Sequence, residues 1–143
     1  MKRAAIYFFY DSKGLVQDYV SYFLSDLTQN VDRLLIIVNG RLDEENKDKL
    51  AQFGEVYFRE NDELDVGAYK FGLEKLSVTI ATFDELILLN NTIMGPIYPF
   101  KETFDKMLTK DVDFWGLTKV GDLGIGETLL SKSKYDKYHE HIQ

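Results

Sequence analysis

The chain has 143 residues, of which 45% are hydrophobic and 14% aromatic, enough to bury one core of ordinary size. It has no cysteine, which excludes disulfides and thiolate metal sites, and its formal charge of -7 argues against nucleic-acid binding. No apolar run approaches the roughly 20 residues of a membrane span, so no transmembrane segment is expected. The basic start is followed by too short an apolar stretch for an export signal, and we expect a cytoplasmic protein.

Continuously apolar runs alternate with amphipathic segments along the chain. Strands are predicted at residues 4–10, 34–38, 55–60, 83–89 and 111–118. Asp43 and Asp65 are the predicted N-caps of the second and third helices, and the buried face of the third helix is predicted to include Val66. This alternation indicates a Rossmann-like α/β fold with a mostly parallel sheet and helices on both faces. We expect one such domain at residues 1–119, followed by a polar tail at 120–143.

Polar residues follow the predicted strands, at the edge where open parallel sheets bind their ligands. Each candidate has a structural alternative. Asp11 could cap the first helix, Asn39 could belong to a left-handed turn, Gly67 could serve packing, and Lys70 could be solvated. The candidate nucleotide-binding residues are Asp11, Asn39, Arg59, Asn61, Asp65, Gly67, Lys70 and Asn90.

Motifs of other ligand-binding classes are missing from the sequence. There is no Walker loop and no G-x-G-x-x-G after the first strand, which disfavours P-loop hydrolases and dinucleotide dehydrogenases. The two histidines, His139 and His141, have no nearby nucleophile or ligand partner in the sequence, so a catalytic triad or zinc site has little support.

Three segments together carry a family resemblance. They are "RENDELDVGAYKFGLEKL" at 59–76, "DELILLNNTIMGPIYPFKETFDKM" at 84–107 and "DFWGLTK" at 113–119. The combination resembles the rhamnan synthesis F family of bacterial polysaccharide enzymes. The resemblance implies a GT-A-type glycosyltransferase domain that moves a sugar, with dTDP-L-rhamnose as the implied donor. The implied acceptor is a polysaccharide or a lipid-linked glycan, reached in the cytoplasm or at the inner face of the cell membrane.

The sequence departs from this family's pattern at three places. Asn90-Asn91-Thr92 stands where the family reads Asn-Asp-Ser, so Asn91 and Thr92 would hold a Mg²⁺ or Mn²⁺ ion without the expected carboxylate. Glu63 occupies a glycine position of the family. The chain ends at Gln143, where the family continues, so we expect a truncated domain and assign no catalytic residue.

Two other interpretations stay open at this point. A degenerate, non-catalytic module would use the same surface for protein association, and homo-oligomers would follow if sheet or helix surface is left uncovered. A flavodoxin-like or receiver-like domain is the third interpretation, although the first strand is not followed by a hydroxyl-rich phosphate loop.

Overall fold

A computed structural model describes residues 1–61 and 63–117 of the chain. The chain divides into two compact units, Met1–Leu108 and Thr109–Gln143. The first unit holds all the helices and strands of the described residues. The predicted domain boundary after Lys119 lies outside the described residues and stays a prediction.

Four strands and four α-helices alternate along the first unit. Their bounds are β1 Arg3–Phe9, α1 Asp18–Leu27, β2 Arg33–Asn39, α2 Glu44–Ala51, β3 Glu55–Arg59, α3 Leu64–Leu76, β4 Glu85–Asn90 and α4 Phe100–Met107, with a short 3₁₀ helix at Ile80–Thr82. All strand pairs are parallel and the order is β3-β2-β1-β4. The predicted α/β class with a parallel sheet is confirmed. The 3-2-1-4 order is that of Rossmann-type sheets and differs from the 2-1-3-4-5 order of flavodoxin-like and receiver-like domains.

Helices cover both faces of the sheet, as predicted. On one face, the ring centroids of Tyr7 in β1 and Phe23 in α1 are 5.6 Å apart. The ring centroids of Phe23 and of Phe100 in α4 are 5.0 Å apart. On the other face α3 packs through Ala68 and Leu76 on a cluster that includes Ala4, Ile6, Leu35 and Ile37. Burial of these apolar side chains on both sides of β1 and β2 supplies the main driving force for the fold.

The first turns of α2 and α3 test the N-caps predicted at Asp43 and Asp65. Asp43 caps α2 as predicted, because its side chain accepts a hydrogen bond from the Asn46 backbone N–H. The predicted cap at Asp65 is wrong: α3 begins at Leu64, its N-cap is Glu63 in a left-handed conformation, and Asp65 lies inside the first turn. The predicted burial of Val66 is also wrong, since its side chain is 72% exposed.

The predicted fifth strand does not form over its described part. Residues 111–117 carry no strand or helix, and Asp113 and Gly116 interrupt the apolar run on which the prediction rested. Within the described residues β4 pairs with β1 alone, and Leu86 and Leu88 of β4 are 38% and 46% exposed. None of the described helices is long and apolar enough to cross a membrane.

Candidate functional site

Three of the predicted ligand residues meet at the carboxyl ends of β2 and β3. Asn39 and Arg59 are partners in the β2–β3 register. The Asn39 side chain is buried; its Nδ2 donates to Asn61 Oδ1 at 3.1 Å, and its Oδ1 accepts from Arg59 Nη1 at 3.1 Å. We call Asn39, Arg59 and Asn61 the Asn39 cluster. It places one cation and two amides at the edge of the sheet where parallel α/β folds bind ligands.

Gly67 allows the Arg59 guanidinium to lie against the first turns of α3. A Cβ at Gly67 would stand 2.8 Å from Arg59 Nη2 and 2.6 Å from the Cβ of Glu63. A side chain at residue 67 would therefore displace the guanidinium. The role of Gly67 is close packing of α3 on Arg59.

The segment before α3 has an unusual backbone. Glu63 and Leu64 have φ angles of +53° and +47°, in the left-handed region that favours glycine. Asn39 Nδ2 donates to the Leu64 carbonyl at 3.3 Å, which ties this segment to β2. The left-handed conformation favours glycine at residue 63, and it raises a specific cost for glutamate there.

A second polar group lies at the ends of β1 and β4, and its centre is Asn91. The Asn91 side chain donates from Nδ2 to the Tyr10 carbonyl at 2.9 Å and accepts at Oδ1 from the Tyr10 N–H at 3.3 Å. Its backbone carbonyl accepts from the Tyr19 hydroxyl at 2.9 Å. Asn91 thus extends the β1–β4 pairing by imitating a peptide group.

The neighbouring candidates make local turns. Asn90 Oδ1 accepts from both the backbone N–H and the hydroxyl of Thr92, at 3.2 and 2.6 Å. Asp11 accepts from the backbone N–H groups of Lys13 and Leu15 and so shapes the loop after β1. The N-cap of α1 is Gln17, so the alternative that Asp11 caps this helix is wrong.

The hydrogen bonds of Asn91 and Thr92 involve the same side-chain oxygens that would bind the predicted Mg²⁺ or Mn²⁺ ion. The Oδ1 atoms of Asn90 and Asn91 already accept hydrogen bonds, and neither residue brings the negative charge that holds a divalent cation beside a diphosphate. Among the residues that the structure describes, no group of three or more His, Cys, Asp or Glu could hold a metal ion. Asn91 and Thr92 would offer a metal only neutral oxygens, and a metal at these residues stays a prediction.

The remaining two candidates lie along α3. Lys70 is exposed in the second turn, and Asp65 accepts a hydrogen bond only from its neighbour Val66 among the described residues. Burial, with the nearby Asp65 carboxylate as a smaller contribution, raises the pKa of Tyr69 to about 12. Neither Lys70 nor Asp65 is hydrogen-bonded to the Asn39 cluster in the described structure.

Sequence reasoning missed the two tyrosines that hold Asn91. Neither tyrosine is among the predicted site residues, and Tyr10 enters the prediction only as the end of the first strand. Tyr19 donates through its hydroxyl and Tyr10 pairs through its backbone, so both contacts depend on which strand lies beside β1. The available signal was a tyrosine, with its polar hydroxyl, on an otherwise apolar helix face.

The fold and the Asn39 cluster define a parallel α/β protein with a polar cluster at the carboxyl edge of its sheet. The model of the family described as rhamnan synthesis protein F matches residues 34–143, which include α2, α3, β2–β4 and the Asn39 cluster. The chain belongs to this family, which gives it a role in polysaccharide biosynthesis. No curated protein and no solved structure matches the chain significantly.

Proposed function

We propose that this chain is the nucleotide-sugar domain of a glycosyltransferase of rhamnan synthesis, working in the cytoplasm with dTDP-L-rhamnose as donor. The observation that carries the proposal is the Asn39 cluster at the carboxyl edge of a Rossmann-type sheet, in a chain of this family. The acceptor is a polysaccharide or lipid-linked glycan.

The Asn39 cluster suits a diphosphate in its charge and its rigidity. A guanidinium carries its N–H donors in a fixed plane that matches phosphate oxygens, and Arg59 brings this group to the edge of the sheet. Arg59 is held by Asn39 on one side and lies 3.9 Å from a Glu63 carboxylate oxygen. A cation that is already positioned loses less conformational entropy when the ligand arrives. A divalent cation, if bound with the donor, would supply additional charge neutralisation for the leaving diphosphate.

Thermal unfolding with dTDP-rhamnose tests the proposal. At a concentration of 100 times the Kd, the donor would raise the free energy of unfolding by about 2.7 kcal/mol. Arg59→Gln is expected to weaken donor binding about tenfold, equivalent to ~1.4 kcal/mol. Arg33→Gln is the matched control, because Arg33 forms a similar ion pair with Glu55 at the opposite end of β2 and β3. An unchanged melting temperature with millimolar donor, with and without Mn²⁺, would reject the proposal.

A second candidate function has its own supporting observation. Leu86 and Leu88 are exposed on β4, and the loop after it exposes Met94, Ile97 and Tyr98 by 74%, 90% and 71%. Exposed apolar surface of this kind is typical of interaction sites, so a non-catalytic module that forms homo-oligomers is the alternative. Sedimentation velocity discriminates the two functions. Concentration-dependent association that Leu88→Glu abolishes, without any response to nucleotide, would favour the module.

A further inference from the structure

A groove lies between the end of β3 and the start of α2, beside the Asn39 cluster. It is open to solvent and has a volume of about 540 Å³, within the usual size range of small-ligand pockets. We call it the Phe58 groove. Besides Arg59, which it shares with the Asn39 cluster, the lining residues that matter are Gly40, Arg41, Glu44, Lys47, Phe58 and Glu60.

The groove has an accessible aromatic wall beside open space. Phe58 is 40% exposed although it belongs to a strand of the core sheet. Gly40, with φ +91°, has no atom within 4 Å of the place where a Cβ would stand. The aromatic face carries partial negative charge and attracts the polarised C–H groups of a ring that packs on it. A pyranose ring presents such C–H groups on one side.

The charged groups of the groove are mixed in sign. Three cations and two carboxylates line it, and Lys47 Nζ lies 3.8 Å from a carboxylate oxygen of Glu44. Arg41 forms no ion pair with the described residues. A nucleoside diphosphate would bring its negative charge close to Glu44 and Glu60. Sugar hydroxyls both donate and accept, so a neutral saccharide can pair with carboxylates and cations together.

The wall formed by the β2–α2 loop is fixed before any ligand binds. The buried Asn46 side chain accepts from the Val16 N–H at 2.8 Å and donates to Asp43 at 2.8 Å. On the other side of the loop, the Gly40 N–H donates to the Arg59 carbonyl at 2.8 Å. A groove held in place at both ends requires little ordering on binding, which favours a true ligand site.

We propose that the Phe58 groove binds a neutral saccharide unit of a glycan chain, with its ring on Phe58 and its hydroxyls on Arg41 and Glu60. This site adjoins the Asn39 cluster, with which it shares Arg59, but it takes a different ligand through Phe58, Arg41 and Glu60. The proposal rests on the proposed function only in the choice of a rhamnose oligosaccharide as probe. Failure of donor binding would leave it standing.

Titration calorimetry and NMR with a neutral rhamnose trisaccharide test the proposal. We expect saturable binding that Phe58→Ala and Arg41→Ala each weaken about fivefold or more. Arg41 is exposed and Phe58 is 40% exposed, so we expect both variants to fold. Tyr22→Ala is the matched control, because Tyr22 is a 60% exposed aromatic residue on α1 whose hydroxyl contacts the Pro96 carbonyl. It should leave trisaccharide binding unchanged.

The same variants separate this site from the donor site. Under the proposal, dTDP-rhamnose affinity is unchanged in Phe58→Ala and Arg41→Ala. Absence of trisaccharide binding to the unmodified protein, or equal binding by all the variants, would overturn the proposal. So would a selective loss of dTDP-rhamnose binding in Phe58→Ala, which would make the groove a nucleotide site.

Discussion

At the scale of single residues, the Asn91 amide is a structural element between β1 and β4. It uses both its donor and its acceptor on the Tyr10 backbone. Asn91→Asp removes the donor and sets a carboxylate against the Tyr10 carbonyl. We expect the free energy of unfolding to fall by about 1–3 kcal/mol, measured by urea denaturation at pH 7.

Asn61→Asp is the control for this prediction. It adds the same charge, but Asn61 is seen only to accept, at Oδ1 from Asn39, and an aspartate keeps that acceptor. Its stability should change much less. If Asn91→Asp is instead as stable as the unmodified protein, and Mn²⁺ raises its affinity for dTDP, then residue 91 belongs to a metal site.

The Tyr7 hydroxyl is a second single-residue feature with a measurable effect. Tyr7 is fully buried, and its hydroxyl has no hydrogen-bond partner in the described structure. Tyr7→Phe removes this unpaired group and should raise the free energy of unfolding by about 1 kcal/mol. Tyr19→Phe, which loses the hydrogen bond to Asn91, should lower it. Destabilisation by Tyr7→Phe would show that the hydroxyl is bonded, for example to a buried water.

At the scale of elements, the start of α3 is strained at Glu63. Its φ of +53° costs an L-residue about 1 kcal/mol, whereas glycine adopts it readily. The ion pair with Arg59 is long, and the Glu63 side chain is 65% exposed, so little is lost with it. Glu63→Gly should therefore raise the free energy of unfolding by about 0.5–1 kcal/mol.

Glu74→Gly gives the contrast within the same helix. Glu74 is exposed in the right-handed body of α3, where glycine costs about 1 kcal/mol. Thermal denaturation should move the two variants in opposite directions. A loss of stability in both variants would mean that residue 63 does not keep its left-handed conformation in solution.

Local signals in the sequence predicted what local contacts decide. Asp43 is three residues before the Asn46 N–H that it caps, and the four apolar runs of the first unit form strands within a few residues of the predicted bounds. The cap at Asp65 failed because a distant contact, Asn39 to the Leu64 carbonyl, holds the chain in a left-handed turn. No spacing within the segment contains that information.

In the candidate site, too, some features could be predicted from the sequence and others depend on distant contacts. Asn39, Arg59 and Asn61 could be predicted to converge because parallel strands bring their carboxyl ends to one edge. The role of Asn91 could not, since it depends on the β1–β4 register that brings Tyr10 beside it. The sequence predicts which edge of the sheet carries the polar residues. The strand register then determines which of their amides are hydrogen-bonded to the backbone.

At the scale of the whole molecule, tyrosines on opposite faces of the sheet make the fold sensitive to alkali. Burial is the main cause that raises the pKa of Tyr69 to about 12, and burial also raises the pKa of Tyr7 well above its usual range. The unfolded chain loses these protons near pH 10, before the folded protein does. Unfolding then releases protons, so stability is retained below pH 10 and falls as the pH rises from 10 towards 12.

Urea denaturation between pH 9 and 12 measures this slope. Tyr69→Phe should reduce the number of protons released on unfolding near pH 11 by at most roughly one, because one of the tyrosines with a raised pKa is gone. Tyr22→Phe is the control for removal of a tyrosine hydroxyl, since Tyr22 is 60% exposed. An equal slope in the unmodified protein and Tyr69→Phe would show that Tyr69 titrates alike in the folded and unfolded chain, and that its packing against Phe8 does not exclude water.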